Sequence, residues 1–173
     1  YDPYGTGTEA DKKKIRPIGI NRNQELHILQ IRNDVPAEIA GIHWLAFGPN
    51  TFNAVIPFYA NINDTPEAYK NTTGNCDPAN MYWLSNILAL LGDSNFALYE
   101  DQENLFEENT VADCRNIQIK ADKEAADESD VTAYLTDVNA KMADVAKKYA
   151  NTLLGQILAL GEPKMKLQFT LND

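Results

Sequence analysis

Groups that carry most enzymatic and binding chemistry are scarce in this chain. Its 173 residues hold two cysteines, two histidines and two tryptophans. Cys76 and Cys114 have neither CxxC spacing nor a histidine nearby, which argues against a zinc site and leaves two free structural thiols as the expectation. No GxGxxG, Walker sequence, HExxH or Ser/His/Asp pattern occurs, so neither a cofactor nor a metal is expected. Basic clusters stop at Lys12-Lys13-Lys14, and the net charge is −10. Such a surface repels phosphate backbones, which excludes nucleic acid as a partner. No apolar run approaches the roughly 20 residues that cross a bilayer, and the first residues lack the basic flank and apolar centre of a signal peptide. No membrane association and a cytoplasmic location are therefore expected.

What is present is ordinary globular material, 44% hydrophobic and 23% charged, enough for one domain over residues 1–173 with a real core. Residues 1–14 read as loop, because Gly and Pro punctuate a polar, charged run. Residues 15–60 read as a strand meander. From Gln24 to Arg32 both alternating sets carry apolar residues, the pattern of a strand covered on both sides. Ile42 to Phe47 and Ala54 to Tyr59 are two further strands, separated by Gly48-Pro49-Asn50 turn chemistry. Pro57 cannot donate to a ladder, so the third strand is expected to end there or to lie at an edge. Asn63-Asp-Thr65 and Asn71-Thr-Thr73 match the glycosylation sequon but carry no functional weight.

Residues 77–161 read as helices. Asp77-Pro78 predicts a start, with Asp77 as N-cap, and Gly92 a stop. A second helix runs from Asn95 toward Ala125, with Phe96, Tyr99, Phe106 and Ile117 on its inner side. A third, capped by Ser129 or Asp130, places Leu135, Val138, Met142, Leu153 and Ile157 at steps of three and four until Gly161 and Pro163 end it. It would be about 45 Å long and needs a long antiparallel partner, for which the second helix is the candidate. Burying its apolar stripe at about 1.5–3 kcal/mol per side chain outweighs any surface ion pair. Lys164 to Leu171 alternates polar and apolar, which predicts a last strand returning to the sheet. The fold class is α+β, an antiparallel sheet with helices packed on one side.

A set of words in order carries a family likeness: Tyr1-Asp-Pro-Tyr-Gly5, Arg16-Pro-Ile18, Asn21 to Arg32, Trp44-Leu-Ala46, Pro57-Phe-Tyr59, Asn63-Asp-Thr-Pro66, Ala68-Tyr69-Lys70 and Tyr82-Trp83. Together they resemble the C-terminal part of the bacterial cysteine-nucleophile dipeptidases of the N-terminal-nucleophile hydrolase superfamily. The resemblance implies a portion of an αββα fold. It also implies hydrolysis of dipeptides by the Cys at a mature N-terminus, whose own α-amino group takes the thiol proton. Position 1 here is Tyr, so the nucleophile is expected on residues preceding this chain, and the segment alone is expected to be inactive. Two other readings compete, a segment of a related N-acyl amide hydrolase and a non-catalytic helical interaction domain.

A dipeptide carries a free amine and a free carboxylate, so its site wants an acidic group and an arginine fork. Arg22, Glu25 and His27, on or just before the first strand, are the substrate-binding candidates. Against them stand a solvated or paired strand end for Arg22 and Glu25, and a hydrogen-bonded core histidine for His27. His43, beside Trp44, has the same core reading, and neither histidine qualifies as a general base without a carboxylate neighbour. Arg32 is expected to close the strand at its polar end. Strands that lack their sheet partners would expose apolar faces and favour a homo-oligomer.

Overall fold

The computed structural model describes residue 19 and residues 22–165. Three strands, β1 (Glu25–Ile31), β2 (Gly41–Phe47) and β3 (Ile56–Tyr59), form an antiparallel sheet in the order β1-β2-β3. A four-residue helix, α1 (Ala37–Ala40), bridges the first two strands. The meander thus forms as the apolar patterning predicts, and the molecule is α+β. The loop expected over residues 1–14 lies outside the described residues, as does the strand expected over 164–171 apart from Lys164 and Met165. Lys164 closes a 3-10 turn, Glu162–Lys164.

β3 continues through Pro57 because it is an edge strand among the described residues. Alternation aims the nitrogens of Pro57 and Tyr59 away from β2, so the missing donor of Pro57 is lost where no ladder bond is needed. At Tyr59 the outward groups are taken by one side chain: Asn139 Oδ1 accepts from the Tyr59 amide at 2.9 Å, and its Nδ2 donates to the Tyr59 carbonyl at 3.0 Å. Asn139 is fully buried, so its amide substitutes for a neighbouring strand.

Three helices complete the chain, α2 (Met81–Asp93), α3 (Phe96–Glu124) and α4 (Val131–Gly161). The last two pair as the long hairpin that their apolar stripes demand, with Leu135, Val138, Met142, Leu153 and Ile157 of α4 buried alongside Tyr99, Phe106 and Cys114 of α3. Asp130 caps α4 by accepting from the Ala133 amide. The start of α2 differs from expectation. Asp77 makes a turn, accepting from the Ala79 amide, and the helix begins three residues later with Asn80 as N-cap, accepting from Tyr82. Gly92 does not stop α2 but lies within it, where an added Cβ would come within 2.3 Å of the Phe52 ring. Phe52 is 1% exposed and is held at φ 56°, a left-handed conformation costly for an aromatic residue.

Helical segments reach the sheet from both faces at its β2–β3 side, where one-sided packing was expected. Trp44 and Tyr59 share a face and meet Arg115, Gln118 and Asp122 of α3. Phe47 and Phe58, on the opposite face by alternation, meet Tyr69 and, for Phe47, Tyr82. β1 projects beyond this cover: Ile28, Leu29 and Ile31 are 58%, 72% and 79% exposed. The strand read as covered on both sides is open on both among the described residues.

Candidate functional site

Alternation along β1 puts Glu25, His27, Leu29 and Ile31 on one face. Antiparallel pairing sets Leu29 opposite His43 and His27 opposite Leu45, so His43 lies diagonally from His27 on that face. The two imidazoles meet edge to face with centroids 5.6 Å apart. His27 Nδ1 and Glu25 Oε1 are 2.6 Å apart. One ligand atom from each of Glu25, His27 and His43 falls within 4.8 Å of the others. Glu25 and His27 are exposed, and His43 is half-buried.

Of the candidates read from the sequence, the structure brings Glu25 and His27 together and leaves Arg22 exposed in the turn before β1. The core reading of His27 is not met among the described residues: none of them covers β1 there, and the exposed ring is paired with a carboxylate. That carboxylate is the neighbour whose absence counted against a proton-transfer role. His43 was missed as a partner, because the register that joins it to His27 is set across a connection containing α1 and is not legible in the sequence. Chemically the group offers two imidazoles and a carboxylate to a cation or an ammonium, open to solvent on one side.

Arg32 follows the last residue of β1, the strand end expected of it, and its side chain turns inward and forks onto Asp122 of α3, donating from Nη1 to Oδ2 at 2.5 Å and from Nη2 to Oδ1 at 2.9 Å. The Tyr59 hydroxyl donates to Asp122 Oδ1 at 2.6 Å. Burial opposes ionisation of Asp122, but the donors from Arg32 and Tyr59 outweigh it and hold its pKa below the ordinary value. Burial, reinforced by the Asp122 charge, pushes the Tyr59 phenol well up. This cluster fastens the end of β1 to α3. Both cysteines are free thiols, Cys76 exposed and Cys114 buried. Burial first, and then the charge of Asp113, pushes the Cys114 thiol up to about 12, which makes it a poor nucleophile. A polar cleft of about 380 Å³ between the 66–83 segment and α4, lined by Thr72, Trp83 and Asp144 among others, lies apart from β1. Its Lys70 is already paired with Asp64 at 2.7 Å and Glu67 at 3.2 Å.

Comparison with known proteins decides the family. The profile described as peptidase family C69 matches residues 1–109. The chain belongs to peptidase family C69. A probable dipeptidase B of Lactococcus lactis is 53% identical over 174 residues, taking in 100% of this chain and 37% of the relative. Dipeptidase A of Lactobacillus helveticus is 48% identical over 176 residues, again covering 100% of the chain and 37% of the relative. A dipeptidase of Bifidobacterium longum is 35% identical over 127 residues, or 73% of this chain and 24% of that one. This C69 chain thus spans little more than a third of the length of its two more similar relatives. No described helix is long and apolar enough to cross a membrane.

Proposed function

We propose that the chain is the C-terminal region of a cytoplasmic, cysteine-type dipeptidase of the N-terminal-nucleophile class, and that its attacking thiol is supplied from outside these residues. The observation that carries this reading is the match of the whole chain, at 53% identity, to 37% of a protein named a probable dipeptidase. The state of the cysteines supports it: Cys114 is buried with a raised pKa, and Cys76 lies in a loop far from β1 in sequence. The bare faces of β1 support it too, since in an αββα arrangement each sheet packs against a second one.

On this reading the contribution of the chain is substrate handling. Glu25, with His27 beside it, is placed to accept from the ammonium of a dipeptide, and Arg22 is the candidate for its carboxylate. Glu25→Gln in the whole enzyme should raise KM for dipeptides more than it lowers kcat. The decisive experiment incubates the purified 173-residue chain with unblocked dipeptides and follows the release of amino acids. No hydrolysis is expected. Turnover that co-purifies with the chain and persists in a Cys76→Ser variant would overturn the proposal.

A further inference from the structure

We infer that Glu25, His27 and His43 form a binding site for a divalent transition-metal ion of the zinc class. Two imidazole nitrogens and one carboxylate oxygen are the donor set that such ions take, with a fourth position left to water. One carboxylate is too few for calcium or magnesium, which prefer a cage of oxygens. Placement favours the ion as well. Two donors lie two residues apart on β1, the third stands diagonally on β2, and the ladder between them fixes all three backbones.

The ligand atoms already fall within 4.8 Å of one another. Around a tetrahedral zinc with bonds of about 2.0–2.1 Å, neighbouring donors sit roughly 3.3 Å apart. Closing that gap takes side-chain rotations of about an ångström, with the Glu25–His27 contact exchanged for two bonds to the ion. Exposure of Glu25 and His27 makes those rotations free of packing cost, and the open side gives the ion a route in. The 2.6 Å Glu25–His27 contact and the His43 ring edge-on at 5.6 Å bring all three donors together on one face of the ladder.

The test titrates Zn²⁺ into the purified protein against a chromophoric chelator, in a Cys76→Ser background so that the exposed thiol does not compete. Co²⁺ in place of Zn²⁺ reports geometry through its visible absorption. One equivalent should bind, and His27→Ala and His43→Ala should each weaken binding at least about tenfold. Bound Co²⁺ should give the intense bands of a four- or five-coordinate ion, absent in His27→Ala. His27 is exposed, so its substitution leaves the fold intact and decides the matter even if His43→Ala proves unstable. Absence of one-equivalent binding, or binding that His27→Ala leaves unchanged, would overturn the inference. No peptide enters this measurement, so its failure would leave the dipeptidase reading standing, while a bound ion would compete with the substrate ammonium for Glu25.

Discussion

Among single residues, Glu107 is one that should tie stability to pH. Its neighbour one turn back on α3, Glu103, is buried and accepts from the Phe52 amide at 3.1 Å. Burial, and then the negative charge of Glu103, pushes the Glu107 carboxyl from the ordinary 4.5 up to about 7. The folded chain therefore holds this proton more tightly than the unfolded chain does. Its stabilising contribution is complete below pH 4.5 and is lost as the pH rises toward about 7. Glu107→Gln should flatten that part of the profile and raise the thermal midpoint above pH 7 relative to the parent. Thermal unfolding of both proteins across this range measures it, and parallel profiles would refute the assignment. Asp122 acts in the opposite sense, because its pKa is lowered: the Arg32 fork is intact above the ordinary carboxylate range and fails as the pH drops through the folded value.

Between elements, Asn139 is the tie that joins α4 to β3. Asn139→Ala removes both bonds to Tyr59 and strands a buried amide and a buried carbonyl. The expected loss is about 2–6 kcal/mol, at about 1–3 kcal/mol for each unsatisfied group. Urea denaturation reads it as a lower midpoint with an unchanged slope, and a loss below the error of the fit would show that water takes over the role. Neither this tie nor the Arg32–Asp122 fork was legible in the sequence, because each joins residues that only the finished fold brings together. Period and punctuation did reveal the elements themselves. α4 runs as its stripe at steps of three and four dictates, α3 forms from a weaker pattern as its partner, Asp130 is the cap, and Pro57 sits on an edge among the described residues. Punctuation misled where tertiary contact outranked local preference. Gly92 reads as a stop because a glycine inside a helix is costly, yet it is kept by the Phe52 ring lying on its Cα. Asp77 reads as a cap, while Asn80, tied also to the Lys70 carbonyl, takes the position. At the candidate site Glu25 and His27 stood out by residue type, whereas His43 became a partner only through register.

For the whole molecule, the apolar patterning of β1 promises a cover that the described residues do not supply. Double burial, which that pattern predicts, is not met among the described residues, where both faces of β1 are open. Ile28, Leu29 and Ile31 should therefore drive association in solution. Light scattering is expected to give a mass above that of one chain, and Leu29→Lys with Ile31→Lys should return it to 19.3 kDa. A single-chain mass for the parent protein would count against this. The opposite margin of the sheet behaves differently. With Pro57 lacking a donor and the Tyr59 amide and carbonyl both engaged by Asn139, β3 offers an incoming strand no free N–H to pair with. Among the described residues a further strand is received more readily beside β1, whose outer edge is bare, so lengthening the sheet there would also alter the surroundings of Glu25, His27 and His43.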